Sequence, residues 1–426
     1  LKVISRSSVA RYKKTETPLA DIARELRVDA IVEGSVQRVG NRARIMAQLI
    51  DPKTGRALWG ERYERDYGDL LLLQGEVAQA IAREIGAVVT PEEKERLTAR
   101  RTVAPEALEA YLRGVYHRQR HTPQDLDTSL RYLEAALAID PDYALAHAGI
   151  AQVWGARMTA GLVVPREAGP PRLAAIRRAL ELDSNLSEAH MALAQMQTFY
   201  EWDWEGARTE FRRAIELNPS NAQARIFYSH LLTLTGQAEE GTDEAERASE
   251  LDPLNPMIQA LSGVQLLMRG RLDEGIARIR ATLERTPGFG FGHAPLWFAL
   301  YQQGKYDEAI SEAKNNFATA KADADVVEAL ERGYSEGGYR EAMRRAAATL
   351  QARSRSAHVP SIIMVQLYDM AGDTDKALEW LERAYEERDA NMPYIAVMLF
   401  SEELRTHPRF QDMLRRMNLP ELRSSR

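Results

Sequence analysis

Two histidines early in the chain have a spacing that metal chemistry could use. His117 and His121 lie four residues apart, the separation at which two side chains on one helix face can bind the same ion. Arg113, Arg118 and Arg120 surround them and would repel a cation, and the chain contains no cysteine. We therefore predict no metal site and interpret these histidines as part of a basic helix face.

Three further histidines occupy equivalent places in successive sequence units. They are His147, His190 and His293. Units stacked side by side hold such residues roughly 10 Å or further apart, beyond the hydrogen-bond reach that general acid–base catalysis needs. We predict that each histidine has a packing role, that the chain has no catalytic residues and that it is not an enzyme.

Two glycine-containing stretches resemble cofactor loops only in part. Residues 236–242 lack the lysine of a phosphate-binding loop and follow a helix-like stretch instead of a strand. Residues 288–292 lack the strand-turn-helix context of a dinucleotide site. The formal net charge is −6, and this argues against a nucleic-acid surface. We predict no cofactor and no nucleic-acid partner.

The sequence segments that position these residues form a repeat. Pro219, Pro253 and Pro287 stand 34 residues apart twice running, and each closes a similar phrase. A self-similar period of this length predicts stacked supersecondary units. Within each unit, small residues recur on one helical stripe, and Gly236, Gly270 and their equivalent Gly304 mark the turn between two helices.

These phrases resemble the tetratricopeptide repeat (TPR) over roughly residues 110–389, and we predict a solenoid over residues 105–400. The resemblance implies a mainly α fold, a right-handed superhelix of helix pairs with a concave groove that binds a protein or peptide. In this family the groove is lined by set places of each unit. In this sequence they give the candidate residues Met191, Gln195, Ile226, His230, Met257, Val264, Phe291, Phe298 and Tyr301.

The first 90 residues have a different pattern. Residues 1–5 alternate and predict a strand, Thr17 and Pro18 open a helix, and three strands and a helix over 69–85 follow. The sequence phrases at residues 1–8, 29–36 and 58–63 of this small α+β unit resemble the TolB amino-terminal domain of bacterial signalling proteins. The resemblance implies an attached kinase, adenylate cyclase or winged-helix DNA-binding domain. It also implies that the domain is truncated, with an open sheet edge where two chains could pair.

The remaining segments connect or close these units. Residues 91–104 read as a linker, and residues 159–171 as a loop that interrupts the second helix pair. Residues 401–426 predict a capping helix and tail, which a solenoid needs to cover its last apolar face. No apolar run approaches the ~18 residues of a membrane span.

The sequence leaves two hypotheses for function. The first is a non-catalytic, cytoplasmic scaffold for protein–protein interaction, the regulatory half of a larger signalling protein. The alternative is a ligand-sensing region that controls an attached effector domain, with residues 159–171 and the sheet forming a small-molecule pocket.

Overall fold

The computed structural model describes residues 2–13, 15–39, 42–66, 70–86, 103–120, 122–318 and 323–420. Residues 91–102 of the predicted linker and His121 of the histidine pair lie outside this part of the chain. The described residues form mainly α-helices, with one three-stranded sheet near the start. This confirms the predicted fold class, an α-solenoid of helix pairs preceded by a small α+β unit.

The sheet is an antiparallel meander, as predicted. Helices α1 (Arg6–Val9) and α2 (Leu19–Leu26) precede strands β1 (Ile31–Val39), β2 (Arg42–Ile50) and β3 (Ala57–Asp66), and α3 (Leu70–Glu84) follows. Helix α3 packs on β2 and β3, and Ala47 and Leu49 of β2 are buried. At the edge of the sheet, Val32 and Val36 of β1 are 52% and 63% exposed.

The strand predicted over residues 1–5 is wrong. Residues 2–5 lie outside the sheet, and the backbone N–H of Ser5 donates to the carbonyl oxygen of Leu251 at 2.8 Å. The hydroxyls of Ser7 and Ser8 donate to the carboxylate of Asp252 at 2.5 and 2.6 Å. The alternation extends over too few residues to specify a strand, and these bonds hold the segment on the solenoid instead.

Eight helix pairs make up the described part of the solenoid. They are α4–α5 (Pro105–Arg118, Pro123–Ile139), α6–α7 (Ala144–Thr159, Pro165–Leu182), α8–α9 (Ser187–Met196, Trp204–Leu217), α10–α11 (Ala222–Leu234, Ala238–Leu251), α12–α13 (Pro256–Met268, Leu272–Arg285), α14–α15 (His293–Gln302, Tyr306–Ala318), the two halves of α16 (Ala324–Arg353), and α17–α18 (Ser361–Ala371, Thr374–Glu387). Two short helices, α19 (Glu402–Thr406) and α20 (Pro408–Arg416), follow.

Small residues lie where the paired helices touch, which confirms the predicted register. Ala207, Ala214 and Ala248 are fully buried. A Cβ atom added to Gly241 would lie 2.6 Å from Thr233 Oγ1 and 2.7 Å from the carbonyl oxygen of Ser229. Because the helices approach this closely, a larger side chain at these places would force them apart.

Glycines with positive φ separate the helices of a pair. Gly236, Gly270 and Gly304 have φ of 88°, 75° and 70° at the turns where the sequence predicts them. Gly338, with φ of 73°, divides α16 into two helices. These angles favour glycine because a Cβ atom is strained there.

The loop predicted over residues 159–171 is wrong. Helix α6 continues to Thr159 and α7 begins at Pro165, so residues 160–164 alone connect the two. Pro165 occupies the first position of the helix, where its missing N–H costs nothing. Pro165 therefore begins a helix, and Pro170 and Pro171 lie inside that helix and not in an inserted loop.

Candidate binding groove

The predicted groove residues lie on or next to the first helices of consecutive pairs, but they differ in accessibility. Those on α8 and α10 are buried and those on α12 and α14 are partly buried; Phe291, just before α14, is 42% exposed. The buried group is Met191, Gln195, Ile226 and His230, and the partly buried group is Met257, Val264, Phe298 and Tyr301. In this conformation, solvent reaches the C-terminal half of the predicted groove. Peptide binding there stays a prediction.

A segment of the same chain contacts the buried half of the groove at His230. Ile226 is instead buried by the next helix pair, and Gln195 bonds Arg172. Residues 390–400, called the strap below, connect α18 to α19 and include a 3-10 turn over Met392–Ala396. Met392 and Ile395 are fully buried, and Ala390 packs with Met158 and Phe199. At His230, the strap therefore occupies a place where the sequence predicts contact with a bound peptide.

Tyr394 is the strap residue with the most specific contacts. Its hydroxyl lies 3.0 Å from His230 Nδ1, and its ring stacks on Phe199 with the ring centroids 6.0 Å apart. The ring of Phe227 lies edge-on to that of Phe199, with the ring centroids 6.0 Å apart. His230, Phe199 and Phe227 together form a pocket, called the tyrosine pocket below. This pocket holds an aromatic ring and bonds its hydroxyl.

The hydrogen bonds of His230 define its protonation state. Nε2 lies 3.0 Å from the carbonyl oxygen of Leu261, an acceptor, so Nε2 carries the proton. Nδ1 is then an acceptor, and the hydroxyl of Tyr394 donates to it. Complete burial lowers the pKa of His230 to about 4, so the imidazole is neutral at pH 7.

Two buried aspartates fix the ends of the strap to one helix, α17. Asp389 accepts hydrogen bonds from the backbone N–H groups of Ile362 at 3.0 Å and Asn391 at 2.9 Å. Asp369 accepts from the backbone N–H of Ser401 at 2.9 Å and from its hydroxyl. Burial raises the pKa of both carboxyl groups. The anchoring of the ends does not depend on the tyrosine pocket.

The helices on either side of the strap also contact the central repeats. Trp204 Nε1 donates to the carbonyl oxygen of Met417 at 2.8 Å, and the guanidinium carbon of Arg388 lies 3.9 Å from the ring centroid of Trp202. Trp202 has φ of 62° and follows a π-helical turn, Gln197–Glu201. The end of the solenoid is thus joined to the pair α8–α9.

Sequence reasoning missed Phe199, Phe227 and Tyr394, the strap and its contacts. One signal was present: residues 392–400 are apolar without interruption, although connections between helices are usually polar and exposed. An apolar connection must be buried against another part of the chain. The sequence does not say which part.

Arg172 of α7 is a buried cation without an acidic partner in hydrogen-bond contact among the described residues. It is 2% exposed, and its one hydrogen bond, at 3.3 Å, joins Nη2 to the neutral Oε1 of Gln195. Its Nε has no partner. Burial lowers the pKa of Arg172 to about 10. The charge of Glu201 opposes this shift without a hydrogen bond to Arg172, and a buried charge that lacks a hydrogen-bonded counter-ion destabilises the fold.

The other histidines bond their own or neighbouring helices. His117 Nδ1 lies 2.7 Å from Asp125 Oδ1, and His190 Nδ1 lies 2.5 Å from Glu210 Oε2. His293 pairs with Glu312 in the same way. The described part of the chain contains no cluster of three or more His, Asp or Glu side chains able to hold a metal ion. None of its helices is long and apolar enough to span a membrane.

Comparison with known proteins gives one curated relative. No family model matches the chain. "Putative adenylate cyclase 3" of Rhizobium meliloti (strain 1021) is 38% identical over 150 residues. These residues are 35% of this chain and 26% of that protein, so the chain spans about a quarter of the relative that it matches.

Solved structures, among them two that are described as TPR proteins, resemble the chain weakly. TTC0263 from Thermus thermophilus is 20% identical, with a TM-score of 0.38 over 46% of this chain and 99% of its own. YrrB, described as a TPR protein with an unusual peptide-binding site, is 18% identical, with a TM-score of 0.30 over 47% of this chain and 97% of its own. The human IFIT1 dimer with m7Gppp-AAAA is 13% identical, with a TM-score of 0.47 over 73% of this chain and 76% of its own.

All three TM-scores are below 0.5, so the fold assignment rests on this chain's own helix pairs. The 34-residue period, the small residues between paired helices and the turn glycines agree with one another. In their fold, the described helix pairs from Pro105 to Glu387 form a solenoid of the TPR type.

Proposed function

We propose that the chain is a non-catalytic scaffold for protein–protein interaction that binds a peptide segment of a partner in its concave groove. The strap is the observation that supports this function. The groove bonds the hydroxyl of Tyr394 in this irregular segment, whose Met392 and Ile395 are fully buried. A groove that buries one such segment has the apolar lining and the hydrogen-bonding group that recognition of another requires.

The accessible half of the groove provides the first contacts for a partner. Phe291 is 42% exposed, and its ring lies 6.2 Å from that of Phe289. Met257 is partly buried on the preceding pair. Exposed aromatic side chains on a rigid surface contribute much of the binding energy of an interface.

The test is a peptide selected for binding to the protein from a random library, with its affinity measured by fluorescence anisotropy. Combined replacement of Met257 and Phe291 by alanine is expected to weaken binding at least ~10-fold, since truncation of a binding hot spot costs more than 1 kcal/mol. Tyr116→Ala is the control, because Tyr116 is 59% exposed on α4 and is not a predicted groove residue. Equal affinities of the double variant and the wild type would contradict the proposal.

A second candidate function is regulation of an attached effector domain. The observation that favours it is the 38% identity with a protein whose name describes an adenylate cyclase. In that case the solenoid would transmit partner binding to a catalytic domain elsewhere in a longer protein. Cyclic AMP formation by the full-length gene product, with and without residues 105–420, tests it. Absence of cyclic AMP in both forms, or equal rates, would count against this candidate.

The N-terminal unit and the cellular location belong to the same proposal. We assign residues 1–90 to the TolB amino-terminal type and the protein to the cytoplasm. Two chains would pair through the edge of β1, where Val32 and Val36 are more than half exposed. Light scattering over a range of concentrations checks this pairing. Val32→Lys should abolish any dimer, and a wild type that stays monomeric at every concentration would contradict it.

A further inference from the structure

We propose that the strap is a displaceable occupant of the groove, and that the partner segment that replaces it inserts a tyrosine flanked by apolar residues into the tyrosine pocket. This inference rests on the proposed function and adds the chemistry of the partner and the regulation of the site. Three observations support it: the hydrogen bonds of the pocket, the length of the strap and the way in which the strap is held.

The hydrogen bonds of the pocket favour tyrosine over other aromatic residues. His230 is fully buried, and its Nε2–H is already bonded to the carbonyl oxygen of Leu261. Its Nδ1 needs a donor, which the hydroxyl of Tyr394 supplies. Phenylalanine would fill the space beside Phe199 but leave Nδ1 buried without a partner, which is unfavourable.

The strap is longer than its connecting role requires. Its anchors, the N–H of Ile362 and the carboxylate of Asp369, lie on one helix seven residues apart, which is about 10 Å at a rise of 1.5 Å per residue. An extended chain covers about 3.3 Å per residue, so three or four residues would join the anchors. The strap has eleven residues, and the additional length enters the groove.

The strap is held in the groove by side chains. Its backbone–backbone hydrogen bonds are local, such as those from the N–H groups of Val397 and Met398 to the carbonyl oxygen of Tyr394. Among the described residues, no backbone–backbone bond joins it to the groove helices. The direct polar contacts with those helices include Tyr394 to His230 and Gln302 Nε2 to the carbonyl oxygen of Leu399.

Displacement of the strap therefore replaces its side chains in the groove by similar side chains of the partner. The anchors at Asp389 and Asp369 keep α18 and the terminal helices in place while the strap leaves. Met392 and Ile395, buried in the closed form, become exposed in the open form. The partner must therefore cover apolar surface of the strap as well as fill the pocket, and this requirement excludes short polar peptides.

Hydrogen exchange on the wild-type protein tests whether the strap opens. The amides of Val397 and Met398 in the strap are compared with those of Leu381 and Ala384 in α18, at neutral pH. We expect the strap amides to exchange at least ~10-fold faster, because they open locally while the helix opens with the whole fold. Equal rates would mean that the strap leaves only when the protein unfolds, and this would overturn the inference.

A synthetic peptide tests the specificity of the pocket. The probe is the sequence of residues 389–401 with two added lysines for solubility, in one form with tyrosine and in one with phenylalanine at the position of Tyr394. Tyr394→Ala should bind the tyrosine peptide at least ~10-fold more tightly than the wild type does, because its own strap competes less. The phenylalanine peptide should bind at least ~10-fold more weakly than the tyrosine peptide.

The controls separate this inference from the proposed function. Tyr116→Ala should bind the tyrosine peptide as the wild type does. If Tyr394→Ala fails to fold by circular dichroism, Tyr394→Phe, which keeps the ring, should still bind the tyrosine peptide more tightly than the wild type. Equal binding of the two peptides by every variant would overturn the inference. Selected peptides that still require Met257 and Phe291 would leave the proposed function standing.

Discussion

Contacts within the regular repeats and contacts of the C-terminal segments differ in how far apart their residues lie in the sequence. In the repeats, Ser187 Oγ donates to the carbonyl oxygen of Ala214, 27 residues away, and Gln265 Nε2 donates to Thr233 Oγ1, 32 residues away. Tyr394 of the strap bonds His230 over 164 residues, and Trp204 bonds Met417 over 213.

This difference separates two sources of stability. A stack of helix pairs is held by neighbours, so its stability is close to a sum of repeat and interface terms. The strap and the terminal helices join pairs that are not neighbours in the sequence. We infer that the repeats set the fold and that the long-range contacts set how cooperatively it unfolds and whether the groove is open.

The largest expected effect is a break in the local stack. Ala214 is fully buried between paired helices, and Ala214→Arg should lower the free energy of unfolding by at least ~3 kcal/mol, since it places a long charged group in a close contact. Chemical denaturation measures this. Thr209→Arg, on the exposed face of the same helix, should change stability little. Similar stability of the two variants would show that the repeat register is wrong.

The pH dependence of the free energy of unfolding tests the long-range contact between His230 and Tyr394. The imidazole has a pKa of about 4 in the fold and 6.5 unfolded, so the unfolded chain binds the extra proton between these values. Stability should fall as the pH drops from about 6.5 to about 4, by about 3 kcal/mol at most from this residue.

The matched control for this pH dependence is His230→Gln, whose amide can accept from Tyr394 and donate to the carbonyl oxygen of Leu261 without titrating in this range. The quantity to compare is the difference in unfolding free energy between the wild type and this variant, measured in urea at several pH values. Asp369 and Asp389, whose pKa values burial raises, contribute equally to both proteins. Parallel curves would contradict the prediction.

A buried cation within the repeats, Arg172, gives a stability change that does not involve the long-range contacts. Arg172→Met should raise the free energy of unfolding at pH 7 by about 1–3 kcal/mol, because an apolar side chain of similar length removes a buried charge that has no acidic partner in contact. Thermal denaturation shows this as a higher Tm. Arg178→Met, on an exposed surface position of the same helix, is the control. A destabilised Arg172→Met would mean that the guanidinium has an essential partner.

The smallest expected effect concerns the start of the chain. Ser8 Oγ donates to Asp252 and accepts from the backbone N–H of Leu254 at 2.9 Å. Ser8→Ala should cost about 1 kcal/mol locally and speed hydrogen exchange in residues 2–13, with little change in global stability. Thr17→Ala, at an exposed site, should leave this exchange unchanged. Unaltered exchange in Ser8→Ala would show that α1 is held by other contacts.

Sequence reasoning worked where a signal and its structural effect are close together. Gly236, Gly270 and Gly304 predict the turns between paired helices, and the chain turns at each of them with a positive φ. The sequence predicts a loop over residues 159–171, and this is wrong because a helix begins at Pro165. Sequence reasoning also failed at residues 1–5, where bonds to Leu251 and Asp252 replace a strand.

The sequence by itself determined the repeat. Its period, its small residues and its turn glycines act over one helix pair, and such local preferences can be read directly from residue types. The tertiary structure alone decided that the strap lies against the groove and that His230 bonds Tyr394. That contact depends on the small rotation added at every pair between the two residues. No local sequence pattern specifies the total rotation over these pairs, so only the folded chain shows which distant surfaces meet.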